Sequence, residues 1–131
     1  MDYRIAVRTA APFADAVVRV REALTAQGFG VLTEIDVQAT LRGKLGVDME
    51  PYLILGACNP SLAHQALNAD RRIGLLLPCN VVVRTEASLT VIEALDPQAM
   101  VAVGGEPSLQ PVADEAATRL RAALDTLREA D

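Results

Sequence analysis

The 131-residue chain has no tryptophan and only four other aromatic residues, Tyr3, Phe13, Phe29 and Tyr52, although 51% of it is hydrophobic. A core so poor in rings must be built from Ala, Val, Leu and Ile, of which the β-branched members suit strands and Ala and Leu suit helices. Four scattered rings make no stacking platform for bases. A net charge of -5 repels phosphate backbones, so nucleic acid is excluded as a partner. The chain also lacks a long apolar run. Its apolar runs, Ile73 to Leu77 among them, fall far short of the ~20 residues a membrane-spanning helix needs. The opening MDYRIAVRTA carries Asp2, Arg4 and Arg8 where a signal peptide would be apolar. The expectation is a soluble cytoplasmic protein with no membrane partner.

Cysteine and histidine are scarce as well: Cys58, Cys79 and His64 are all there are. In a reducing compartment two cysteines read as thiols rather than a structural disulfide. Neither belongs to a CxxC motif, which argues against thioredoxin-type redox chemistry and a zinc knuckle. Phosphate-loop, dinucleotide-binding, HExxH and GxSxG signatures are absent.

What is present suits one domain spanning residues 1–131, a length that buries roughly two-thirds of the unfolded surface. Tyr3 to Thr9 alternates apolar and polar residues, the period of a half-buried strand. Pro12 opens a helix in which Phe13, Val17, Val20 and Leu24 recur at helical spacing, and Gly28 supplies a left-handed stop. Phe29 to Ile35 is a second strand. Asp36 caps a short helix striped by Val37, Leu41 and Leu45, with Gly46 at its end. Tyr52 to Ala57 is a short apolar strand, buried on both faces or central in the sheet. Asn59 then caps a helix with Pro60 at its first position and Leu62, Ala63, Ala66 and Leu67 inside.

Pro78 interrupts the next apolar run, so Leu75 to Leu77 reads as a buried connector. Asn80 to Thr85 and Leu89 to Leu95 form a hairpin around Glu86-Ala87-Ser88. Asp96-Pro97 repeats the cap-then-proline signal for a helical turn. Ser108 caps a last helix, with Leu109, Val112, Ala116, Leu120, Leu124 and Leu127 inside and a charged outer side running to Arg128 and Glu129. The fold class expected is α+β, two-layer, with a mixed five-stranded sheet, helices mainly on one face, and the order β-α-β-α-β-α-β-β-α.

The stretch from Pro51 to Val83 holds both cysteines and the histidine, and it repeats the dipeptide Cys-Asn at Cys58-Asn59 and Cys79-Asn80, 21 positions apart. Cys58 sits where a strand runs into a helix N-terminus, whose positive end stabilises a thiolate. The plain alternative is a buried small hydrophobe beside an ordinary cap. His64, one turn into that helix, falls about 130° from the centre of its inner face at 3.6 residues per turn. It is either a solvated surface residue or, leaning toward the N-terminus, a group near the Cys58 thiol. Cys58, Cys79 and His64 leave a tetrahedral metal site one ligand short. Glu34 and Asp36 would share a strand face as paired carboxylates, although Asp36 is explained more simply as a cap. Arg71-Arg72 offers an anion site or only the cations that a helix C-terminus favours.

The segment GFGVLTEIDVQATLRGKLGVDMEPYLILGACNPSLAHQAL followed by GLLLPCNVVV resembles the domain-of-unknown-function 302 family of bacteria and archaea. The likeness runs from about Gly28 to Asp96 and rests on the ACNP and LLPCN motifs at their observed separation. It implies a small single-domain α+β fold and carries no established activity, substrate or catalytic residue with it.

Two functions remain open. One is a non-catalytic binding or sensing domain whose site is a pocket of Cys58, Asn59, His64, Cys79 and Asn80, taking a soft metal ion on Cys58 and Cys79 or a small ligand. The other is a small enzyme with Cys58 as nucleophile and His64 as base. A homodimer or larger homo-oligomer is expected, because Leu53-Ile54-Leu55 and Val81-Val82-Val83 put apolar side chains on both faces of the sheet.

Overall fold

The computed structural model describes residues 2–128. Its strands are β1 (Arg4–Thr9), β2 (Gly30–Asp36), β3 (Tyr52–Cys58), β4 (Cys79–Glu86) and β5 (Leu89–Leu95). Its α-helices are α1 (Phe13–Ala26), α2 (Val37–Leu45), α3 (Pro60–Ala69), α4 (Gln98–Gly104) and α5 (Gln110–Asp125), with short 3-10 segments at Arg71–Leu76 and Pro107–Leu109. The α+β class, the two layers and the element order are those read from the sequence. Glu129, expected on the charged side of the last helix, lies outside the described residues.

The sheet, expected to be mixed, is antiparallel at every pairing, in the order β1-β5-β4-β3-β2. Alternating strands and helices suggest parallel crossovers. Here α2 and α3 instead join strands that are direct antiparallel neighbours, so each serves as a long hairpin connection. Only α1 crosses the whole sheet, from β1 at one edge to β2 at the other.

Alternation places Ile5, Val7, Leu53, Leu55, Ala57, Cys79, Val81, Val83, Ile92 and Ala94 on one face, all buried. All of these but Cys79 pack with Ala16, Val20 and Leu24 of α1 and Leu120, Ala123 and Leu124 of α5. Each fully buried Leu, Ile or Val contributes roughly 1.5–3 kcal/mol relative to exposure, so this layer holds the domain together. The other side of α5, through Val112, Ala113 and Ala116, packs together with Leu109 just before it against Leu62 and Ala66 of α3, Ile73 and Met100 in a second core cluster. α5 is thus the wall between two cores.

Local signals set most boundaries. Gly28 and Gly46 adopt the left-handed conformation at helix ends, and Asp36 accepts a hydrogen bond from the Ala39 amide. Three expectations need correcting. The Val37/Leu41/Leu45 stripe of α2 buries no residue, and Leu45 is exposed, because α2 packs on β2 and β3 and takes no part in either core cluster. Leu75, expected in a buried connector, is 87% exposed, since the 3-10 turn spends its inward position on Ile73. Ser108 does not cap the last helix. Glu106 instead accepts from the Ser108 amide and hydroxyl and caps the short turn that leads into α5.

Candidate functional site

β3 ends at Cys58, and Asn59 is the cap of α3, its side-chain oxygen accepting from the Leu62 amide at 3.2 Å. Pro60 follows at the first helical position, where its missing N–H leaves no bond unmade. On the neighbouring strand Cys79 begins β4 directly opposite Ala57. Pro78, which precedes it through a cis Leu77–Pro78 peptide, stands beside Gly56, so close that a β-carbon there would lie 2.9 Å from the proline ring.

These ends of β3 and β4 frame a small cavity of about 30 Å³. Cys58, Cys79, Ala57, Asn59 and Pro78 line it from the sheet, Leu62, Ala63 and Ala66 from α3, and Phe29, Met100, Val112 and Ala116 from further off in the chain. The lining draws on both core clusters, so the cavity lies at their junction. Its volume suits one water-sized body, and its walls are almost wholly apolar.

The two thiols differ. Cys58 is half-buried and Cys79 is buried. Burial first, and the neighbouring Cys58 second, push the Cys79 thiol up from its ordinary value to about 11. Cys79 is therefore protonated at neutral pH, in keeping with apolar surroundings that solvate no charge.

The remaining sequence candidates lie elsewhere. His64 is exposed on α3 and contacts Asn68 at 3.3 Å, and it does not line the cavity. Asn80 is exposed on the opposite face of the sheet, in a depression with Tyr3, Tyr52 and Glu93. Asn59 borders the cavity, but its side-chain oxygen is engaged in the cap. Glu34 pairs with Arg21 on α1, and Asp36 caps α2. Arg72 pairs with Asp70 at 3.0 Å, whose carboxyl it holds below the usual range. Among the described residues no three His, Cys, Asp or Glu side chains gather as a metal-holding group.

Phe29, Met100, Val112 and Ala116 escaped the sequence reading as cavity residues. The inward stripe of α5 marked Val112 and Ala116 as core, and nothing local distinguished them from other core positions.

The model of the family described as "Domain of unknown function DUF302" matches residues 5–127. The chain belongs to this family. A solved structure titled "Crystal structure of uncharacterized conserved protein DUF302 from Bacillus stearothermophilus" is similar at 33% sequence identity, with a TM-score of 0.91, and covers 98% of this chain and 100% of that one. No curated protein matches. The fold of the DUF302 chain is thereby placed among known structures. Among the described residues no helix is long and apolar enough to cross a membrane.

Proposed function

We propose that the protein is a small binding or sensing domain whose site is the cavity between Cys58 and Cys79, and that its ligand is a soft, thiophilic monovalent metal ion of the copper(I) class. The observation that carries this reading is that two thiols from adjacent strand ends line one apolar cavity of water-sized volume. Thiolates select soft ions, and two of them suffice for a linear site, whereas zinc wants four ligands. The volume argues against larger anionic ligands, which would have to prise the two cores apart.

Binding replaces two S–H protons with two metal–sulfur bonds and leaves one net negative charge. Cys58 directly precedes the cap of α3, so that charge would lie near the positive end of a ten-residue helix. Ionising Cys79 opposes binding, so affinity should rise with pH as protons become easier to remove. The enzymatic reading loses its base, because His64 faces solvent and pairs with Asn68. A cytoplasmic setting, where thiols stay reduced, and a homo-oligomeric assembly complete the proposal.

The test is titration of the reduced protein with copper(I) against a competing chelator, read by native mass spectrometry. One ion per chain, lost in both Cys58→Ser and Cys79→Ser, is the expected result. Binding that survives either substitution, or none at all, would overturn the reading.

A further inference from the structure

Alternation that buries one face of the sheet turns Arg4, Ala6, Arg8, Ile54, Val82, Arg84 and Glu93 to the other, away from α1 and α5. We infer that this outer face is where a second copy of the chain docks, sheet against sheet about a two-fold axis. The inference rests on the homo-oligomer reading above and adds the surface.

The charges of the face favour a copy of itself over a foreign partner. Arg4 pairs with Glu93 at 2.6 Å, Glu93 with Arg84 at 2.7 Å, Arg84 with Glu86 at 3.7 Å, and Arg8 with Glu86 at 3.2 Å. The signs alternate from contact to contact along an arc that runs from β1 across β5 to β4 and back to β1. Three arginines and two glutamates leave the face nearly balanced, so a two-fold axis through it can set arginines of one copy against glutamates of the other. A face that carries both signs in near balance can meet its own copy, as a closed dimer requires. It presents no strong field of one sign to attract an acidic or basic partner.

Internal pairing also lowers the cost of covering the face. A lone desolvated charge is expensive, while a complete hydrogen-bonded pair is far less so. The side chains of Glu93 and Arg84 are already only 18% and 20% exposed, so much of their desolvation is done within one chain. Beside the arc stand Ile54, Val82 and Tyr52, half-buried and without a helix of the core layer above them.

The area suffices. Five strands about 4.8 Å apart and roughly seven residues long at about 3.3 Å per residue span about 24 by 23 Å, or roughly 550 Å² in projection. With side-chain relief this approaches the about 800 Å² that each partner gives to a standard interface. Packed sheets of this kind lie about 10 Å apart. On this arrangement Cys79 points away from the axis into its own core, so a dimer would keep two separate thiol sites and not join four cysteines in one.

Sedimentation equilibrium of the full chain tests the proposal, using Val82→Glu and Ile54→Glu on the outer face and Leu75→Glu on the far 3-10 turn. A wild-type dimer whose mass is halved by either outer-face substitution, and left unchanged by Leu75→Glu, is expected. A wild-type monomer would overturn both the oligomer reading and the surface. A dimer that withstands both outer-face substitutions, or that Leu75→Glu disperses, would overturn the surface alone. Should the outer-face variants fail to fold, hydroxyl-radical labelling of the wild type decides. Tyr52 and Val82 should be labelled less in concentrated than in dilute solution, and equal labelling sinks the surface.

Discussion

Ala57 and Cys79 are directly opposite partners in the ladder between β3 and β4. That register sets Cys58 one residue beyond the pair, at the point where β3 gives way to α3, and both thiols then line one cavity. Their environments diverge over this short span, because Cys79 points into the core while Cys58 stands at its edge.

Reactivity should follow that difference. The thiolate is the reacting form, and Cys79 is both buried and held protonated. Brief alkylation of the native protein at neutral pH, followed by peptide mass spectrometry, should therefore modify Cys58 well before Cys79. Denaturant should bring Cys79 up to the rate of Cys58. Equal native rates would mean that the cavity opens readily to solvent, contrary to this structure.

The Cys-Asn repeat that drew attention to this region was a poor guide to its geometry. Asn59 is a helix cap beside the cavity, while Asn80, next to the buried Cys79, is turned by the pleat to the other face. What joins the thiols is strand register, and register depends on pairings the sequence does not display. Alternation and caps were legible because they are local: β1, the left-handed Gly28 and the Asp36 and Asn59 caps all stand where the sequence put them. The antiparallel pairing of β2, β3 and β4 was not legible, since a buried apolar strand such as Tyr52–Cys58 reads the same with either kind of neighbour. Leu75 and the α2 stripe show the converse, apolar residues in helical or continuous runs that the tertiary structure leaves uncovered.

The cap at Asn59 can be separated from any role of that residue in binding. Asn59→Ala removes the acceptor for the Leu62 amide and should cost about 1 kcal/mol of stability. Asn59→Asp keeps an acceptor, adds charge at the favourable end of α3 and should lose much less. Urea unfolding of the three proteins measures this. A loss as large in Asn59→Asp as in Asn59→Ala would show that the amide nitrogen matters beyond the cap.

Gly56 should resist replacement for a steric reason. A β-carbon there would lie 2.1 Å from Thr33 Oγ1 and 2.9 Å from Pro78 Cγ. Rotating Thr33 brings its methyl toward the space its hydroxyl leaves, because the residue branches at Cβ. Gly56→Ala should therefore destabilise by about 1–3 kcal/mol, the usual range for overpacking. Adding Thr33→Ala should recover part of the loss and leave the share due to Pro78. A neutral Gly56→Ala in thermal or urea unfolding would show that the β2–β3 pair yields at this point.

Cys79 also predicts how stability responds to alkali. Its thiol titrates at about 11 when folded against 9.0 for an ordinary cysteine, with burial as the main cause. The folded state thus holds this proton more tightly than the unfolded chain does. Its contribution is complete below pH 9, where the thiol is protonated in both states. Between pH 9 and about 11 the unfolded chain releases the proton and the folded protein does not, so stability falls as pH rises, by at most about 1.4 kcal/mol per pH unit. Above that window the term is exhausted and its slope vanishes. Cys79→Ala removes the thiol and should flatten this part of the profile, whatever it does to absolute stability through the small void it leaves. Urea midpoints measured at intervals from pH 8 to 11 for the two proteins provide the comparison. Parallel profiles would mean that Cys79 ionises as freely in the fold as in the open chain, and the apolar cavity on which the thiol site depends would be wrong.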